Sequence, residues 1–176
     1  MKYLVPFLLL LAACGQQAND IINDPAIFTG VDPQLQVYFN RFSSKTGASS
    51  GGITAGFIAL PNGIAGECVT DGPYREIRMD PGYWATLTTQ TYSDLLKEQL
   101  SFHELGHCAL GIMYHTNNCS DGTTAPDGTL SSCNHGTTQP LSIMNWMAFN
   151  YGSQIIYYSN NEPEYVSALV QNVPIP

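Results

Sequence analysis

The sequence predicts an α+β domain, and three observations lead to that class. An apolar stripe at helical spacing follows Asp32-Pro33, strand-like segments lie between residues 53 and 80, and a second helical pattern covers residues 94 to 110. A long loop and a last helix complete the order. Helix, strands, helix, loop and helix in succession are the element order of a small sheet with helices packed on it.

The first helix is predicted to begin at Asp32-Pro33 and to end at Gly47. A carboxylate before the helix can accept its first amide hydrogen bonds, and proline suits the first turn. Glycine is a natural stop because it tolerates the left-handed exit. Its apolar stripe comprises Leu35, Tyr38, Phe39 and Phe42.

Three strands are predicted after a flexible turn at residues 49 to 52. Residues 53 to 60 and 64 to 69 are interpreted as a hairpin across an Asn62-Gly63 turn. Residues 75 to 80 alternate between polar and apolar and form the third strand, which Pro81-Gly82 ends. Residues 75 to 84 are interpreted as structural.

The clearest helix covers residues 94 to 110, with Ser93-Asp94 as its cap and Gly111 as its exit. Glu98 is interpreted as a solvated charge on this helix. Residues 116 to 140 are rich in Gly, Ser, Thr, Asn and Asp and predict a loop. A last helix is predicted from Glu162-Pro163 to about residue 173.

Residues 1 to 13 are similar to a secretory signal peptide, with a positive start and a short apolar stretch. Leu11-Ala12-Ala13-Cys14-Gly15 resembles a bacterial lipobox, which implies cleavage before Cys14 and lipid on its sulfur. Residues 14 to 31 would then tether a domain of residues 32 to 176. Because Gln16 is not aspartate, the expected location is the outer membrane, with the domain periplasmic or surface-exposed.

The chain is acidic, with 14 Asp and Glu against 6 Lys and Arg. It has no basic patch that could neutralise phosphates, so nucleic acid is not an expected partner.

Apart from Cys14, four cysteines remain, and their even number in an exported chain predicts two disulfides with three possible pairings. Cys119 and Cys133 flank the long polar loop and are therefore paired here. Cys68 with Cys108 follows by elimination. No two cysteines have the short spacing of a zinc knuckle.

His103-Glu104-Leu105-Gly106-His107 is an HExxH motif on a predicted helix. At about 100° per residue, four residues return His107 to within roughly 40° of His103 and one turn away. The two imidazoles can therefore bind one zinc ion, while Glu104 lies close enough to take a proton from water at the metal.

An open catalytic zinc site needs a third protein ligand. His115 lies eight residues after His107 and is the preferred candidate. The alternatives are His135 and an acidic residue such as Asp121. As a purely structural residue, His115 would cap the end of the helix, where a cation is favoured.

The segment HELGHCALGIMYH, residues 103 to 115, resembles the metzincin signature HExxHxxGxxH, although its glycine comes one residue later and its last histidine two later. Leu141-Ser142-Ile143-Met144-Asn145 resembles the metzincin Met-turn, in which the methionine supports the ligands from beneath. Trp146 stands where some metzincins have a catalytic tyrosine. The resemblance implies a zincin-type fold and a zinc metallopeptidase that acts on a peptide or protein substrate.

Two rival interpretations stay open. In the first, Glu162 or Glu164 supplies the third ligand, as in other classes of zincin. In the second, the chain is a non-catalytic, lipid-anchored zinc-binding surface protein. Glu104 argues against the second, because a structural zinc site needs no carboxylate beside its ligands.

Overall fold

The computed structural model describes residues 25 to 61, 63 to 112, 142 to 144 and 152 to 172. Within these ranges the domain is α+β, as predicted, with a three-stranded mixed sheet and five helices. The helices are α1 (Pro33–Thr46), α2 (Pro81–Thr88), α3 (Ser93–Leu110), α4 (Gly152–Asn160) and α5 (Glu162–Gln171), and the strands are β1 (Ile53–Phe57), β2 (Gly66–Asp71) and β3 (Tyr74–Met79).

Several predictions fall on residues outside these ranges. They concern the signal peptide and Cys14, the Asn62 turn position, and the polar loop at residues 116 to 140 with Cys119 and Cys133. These predictions stay as they stand.

Helix α1 forms as its sequence predicts. Oδ1 of Asp32 accepts a hydrogen bond from the amide of Gln34 at 2.8 Å, and Pro33 occupies the first turn. At the other end Gly47 has a φ of +71°, a left-handed conformation that favours glycine. All four residues of the predicted stripe are buried: Leu35, Tyr38, Phe39 and Phe42.

The predicted hairpin between the first two strands is wrong. The sheet order is β1-β3-β2, with β1 parallel and β2 antiparallel to β3. The hairpin instead joins β2 to β3 through Gly72-Pro73, where Gly72 has a φ of +56°. So short a connection makes its two strands antiparallel neighbours, whereas the longer segment 58 to 65 lets β1 lie on the far side of β3.

Strand β1 also ends earlier than predicted, at Phe57 rather than at residue 60. The reason is local, because the amide of Leu60 donates to Oδ2 of Asp80 at 3.1 Å.

Helices α2 and α4 are missing from the predicted elements. Helix α2 begins like α1, with an aspartate before a proline, and Oδ1 of Asp80 accepts the amide of Tyr83 at 2.7 Å. Gly82 in the first turn obscures this signal, since glycine is a poor helix former. Helix α4 is nine residues long, with Ile155 and Tyr158 buried, which is too short for a clear period.

Helix α3 has the predicted extent and ends at Gly111, whose φ is +69°. Its N-terminus differs from the prediction, because the N-cap residue is Tyr92 and it makes no side-chain cap hydrogen bond. Asp94 instead accepts hydrogen bonds from two side chains of α1, Oη of Tyr38 at 3.0 Å and Nη1 of Arg41 at 2.7 Å. A contact between helices therefore uses the carboxylate that the sequence assigns to the cap.

Glu98 is buried, with 1% of its surface exposed, so its prediction as a solvated charge is wrong. Its carboxylate lies 3.1 Å from both Nη1 of Arg41 and Nζ of Lys45. The hydroxyl of Tyr158 donates to it at 3.4 Å, and Lys45 also pairs with Glu162. Burial raises the pKa of Glu98, and the hydrogen bond from Lys45 opposes that shift. This network holds α1, α4 and α5 to the N-terminal half of α3.

A disulfide between Cys68 of β2 and Cys108 of α3 joins the sheet to the long helix. This is the predicted pairing for these two cysteines.

Residues 25 to 31, which the sequence assigns to the tether, lie on the sheet. The amides of Ile27 and Phe28 donate to Oε2 of Glu76 at 2.8 and 2.7 Å. Val31 forms a parallel bridge with β1 and so covers its outer edge. Among the described residues, β2 is therefore the strand whose outer edge no further strand covers. None of the described helices has the length and apolarity needed to cross a membrane.

Candidate metal centre

The C-terminal half of α3 places His103 and His107 on one helix face, as the motif predicts. Their Nε2 atoms lie 3.3 Å apart and their ring centroids 4.9 Å apart. His103 is almost fully buried at 2% exposed, and His107 is half-buried. The site is therefore set into the domain and opens at His107.

Both imidazoles are oriented by backbone carbonyls. Nδ1 of His103 donates to the carbonyl of Ile143 at 2.8 Å, and Nδ1 of His107 donates to the carbonyl of Ile112 at 2.5 Å. Since a carbonyl only accepts, each neutral ring carries its single proton on Nδ1 and presents a lone pair at Nε2. Histidines that bind metals are held by the same kind of bond from the other ring nitrogen.

The separation of the two Nε2 atoms fits a shared metal ion. Two nitrogens that are each 2.0 to 2.1 Å from a tetrahedral zinc ion lie about 3.3 to 3.4 Å apart. The observed 3.3 Å has this value.

The end of α3 turns the chain back toward His107. The amides of Gly111 and Ile112 both donate to the carbonyl of Gly106, the latter at 3.1 Å. The left-handed φ of Gly111 makes this turn possible and directs the carbonyl of Ile112 at His107. The glycine exit expected from the sequence thus orients a candidate ligand.

Met144 lies against the motif helix. It belongs to a turn in which the hydroxyl of Ser142 accepts the amide of Met144 at 3.0 Å. A Cβ placed on Gly106 would lie 2.5 Å from Sδ of Met144, so the sulfur occupies the space that the glycine leaves. Together with the bond from His103 to Ile143, this contact positions the turn beside the predicted ligands.

Glu104 is buried, with 1% of its surface exposed, and it lies against the edge strand β2. A Cβ on Gly66 would meet Oε1 of Glu104 at 2.8 Å. Gly66 is thus a site residue that sequence reasoning missed. The available signal was a glycine in a strand-like segment, which can mark a close approach by another group.

Burial lowers the pKa of His107, and its hydrogen bond to Ile112 opposes the shift. A lowered pKa favours the neutral imidazole, which is the form that binds metals.

The predicted third ligand, His115, and its alternatives His135 and Asp121 lie outside the described residues. Within the described ranges, no group of three or more His, Cys, Asp or Glu side chains is placed to hold a metal ion. The two glutamates that the rival interpretation offers as third ligand belong to no such group either. Glu162 pairs with Lys45 at the start of α5, and Glu164 is exposed.

Comparisons of the chain with protein-family models, with curated proteins and with solved structures find no match.

Proposed function

We propose that this protein is a zinc-dependent endopeptidase of the metzincin-like zincin type. His103, His107 and His115 would hold the metal, and Glu104 would act as general base. The observation that carries the proposal is the geometry of the first two histidines, whose Nε2 lone pairs converge at 3.3 Å while both Nδ1 atoms donate to backbone carbonyls.

The surroundings of α3 support the zincin type. Met144 packs on Gly106, between the two histidines in the sequence, as the Met-turn resemblance implies. The edge strand β2 lies beside Glu104, where an extended peptide could add as a further strand. Such a peptide would bind through its backbone, which suits an endopeptidase.

When bound, zinc would lower the pKa of a water molecule and polarise the carbonyl of the scissile bond. Glu104 would take the proton from the attacking water and deliver it to the leaving nitrogen. Its burial against β2 keeps the carboxylate next to the strand to which the peptide would add. The carbonyls of Ile143 and Ile112 would keep both imidazoles oriented throughout.

We also propose that the enzyme is exported and anchored to the membrane by lipid on Cys14. The Cys68–Cys108 disulfide supports export, because disulfides form and persist in oxidising compartments.

The test is the zinc content of the purified protein, residues 15 to 176, beside His115→Ala and the matched variant His135→Ala. We expect one zinc per chain in wild type and in His135→Ala, and a large loss in His115→Ala. Zinc retained by His115→Ala and lost by His135→Ala would move the third ligand. A wild-type protein that binds no zinc when supplied with it would refute the enzyme proposal.

A second variant separates the enzyme from a non-catalytic zinc-binding protein. Glu104→Gln should keep the zinc and lose about 10²- to 10⁴-fold in peptide hydrolysis, the usual contribution of a general base. Hydrolysis of a peptide library, read by mass spectrometry, measures the loss. If wild type cleaves peptides no faster than Glu104→Gln, the non-catalytic alternative is correct.

A further inference from the structure

Strand β2 and helix α3 touch at two successive points. At the first point Gly66 of β2 lies against the side chain of Glu104 of α3. At the second, Cys68, two residues after Gly66, is bonded to Cys108, four residues after Glu104. Two residues of a strand advance about 6.6 Å, and four residues of a helix advance about 6 Å. The two contacts are therefore equally spaced on both elements, and the disulfide fixes the register that brings Gly66 to Glu104.

Space, rather than backbone conformation, explains the glycine at position 66. Gly66 lies in a regular strand and is not among the glycines with positive φ. A Cβ there would lie 2.8 Å from Oε1, 2.9 Å from Cγ and 3.0 Å from Cδ of Glu104. Rotation of the carboxylate cannot relieve the contact with Cγ, and burial of Glu104 leaves the whole side chain little room to move.

We propose that Gly66 is a positioning residue for Glu104, held in register by the Cys68–Cys108 disulfide. The missing side chain at position 66 lets the carboxylate lie against β2, next to the strand to which the peptide would add. The catalytic consequence of this inference rests on the proposed function, whereas its steric basis does not.

The steric basis is tested in metal-free protein by the thermal stability of Gly66→Ala in three backgrounds. In wild type it should lower Tm by roughly 2 to 10 °C, the usual result of overpacking in a domain of this size. With Glu104→Ala the loss should disappear. With Glu104→Gln, which keeps the shape and removes the charge, the loss should remain.

Gly30→Ala is the matched control, because a Cβ at Gly30 meets nothing within 4 Å and its φ is not positive. It should leave Tm nearly unchanged. If Gly66→Ala does not fold, recovery of folding in Gly66→Ala/Glu104→Ala supports the inference. An equal loss of Tm with and without the Glu104 side chain overturns it.

The positioning role is tested in zinc-loaded protein. Gly66→Ala should keep one zinc per chain and a KM near wild type, with kcat at least tenfold lower. An unchanged kcat would overturn the positioning role. If wild type is itself inactive, the proposed function fails, and the metal-free comparison alone decides whether Gly66 seats Glu104.

Discussion

Removal of the Cys68–Cys108 disulfide should destabilise the domain by an amount set by its loop. The two cysteines are 40 residues apart in the sequence. For a loop of that length, the chain-entropy relation gives about 4 kcal/mol at 25 °C. In a domain of this size, such a loss lowers Tm by about 8 to 16 °C. We therefore expect Cys68→Ala/Cys108→Ala to be folded at low temperature and to have a Tm well below that of wild type.

Urea denaturation of zinc-free protein, followed by circular dichroism, measures the effect. The m-value should rise as well, because the unfolded chain without the cross-link exposes more surface. The control for packing is Cys119→Ala/Cys133→Ala, measured oxidised and reduced, since reduction then opens only the Cys68–Cys108 bond and keeps the buried sulfur of Cys108. Cys119→Ala/Cys133→Ala opens the shorter predicted loop and should cost about 3 kcal/mol if that bond forms.

A loss below about 1 kcal/mol with an unchanged m-value would refute the reasoning, because the bond would then constrain neither the folded nor the unfolded chain. A large loss on reduction of Cys119→Ala/Cys133→Ala, matched by the loss in Cys68→Ala/Cys108→Ala relative to wild type, would assign the effect to the Cys68–Cys108 cross-link.

Three further predictions concern α3 and the turn that packs against it. Burial raises the pKa of Glu98, so wild type is stabilised when this carboxyl is protonated and loses that stability as the pH rises above about 4.5. Glu98→Gln does not titrate, and its free energy of unfolding should therefore rise relative to that of wild type over this pH range. Asp94→Asn should show the opposite profile, with the wild type losing its advantage as the pH falls: burial opposes ionisation of Asp94, but hydrogen bonds from Arg41 and Tyr38 outweigh it and lower its pKa. Urea titrations over a pH series measure both, and parallel profiles would contradict them. Because Met144 is buried, Met144→Leu should lower the free energy of unfolding by under about 1.5 kcal/mol, and Met144→Ala by about 2 to 5 kcal/mol with weaker zinc retention. Equal losses in the two variants would show that Met144 does not support the helix.

The elements that the sequence predicts well are those with complete local signals. Helix α1 has its capping aspartate, its proline, its apolar stripe and its terminal glycine, all within Asp32 to Gly47. Helix α3 likewise has a long apolar pattern and the Gly111 exit. Each signal acts within a few residues, so the rest of the fold is not needed to interpret it.

The failures share a different cause, which is contact between distant segments. Strand pairing depends on which strand lies in the middle of the sheet, and here it is β3, whose two faces are both covered. Its Glu76 and Arg78 are buried, which their charges would not suggest. Asp94 has the pattern of a cap, yet Arg41 of another helix binds it. Glu98 has the pattern of a surface charge, yet α1 and α4 cover it with partners of their own.

The candidate site divides in the same way. Spacing by four residues is enough to predict that His103 and His107 share a face, because helix geometry alone fixes it. The carbonyls that orient them belong to residues 112 and 143, and the second is 40 residues from its histidine. Gly66 approaches Glu104 from a strand 38 residues earlier in the chain. No pattern within the motif points to these partners.

The burial of Glu104 bears on the choice between a catalytic zinc site and a purely structural one. Removal of a carboxylate from water is costly, so a carboxylate that is 1% exposed needs a strong reason to be there. A structural site would be served by the histidines and one or two further ligands, and an uncharged residue beside them would be cheaper to bury. Here the edge strand β2 has a glycine at position 66, and the carboxylate occupies the space that a side chain would fill. Under the proposed function, a general base next to the strand to which the peptide would add accounts for both features.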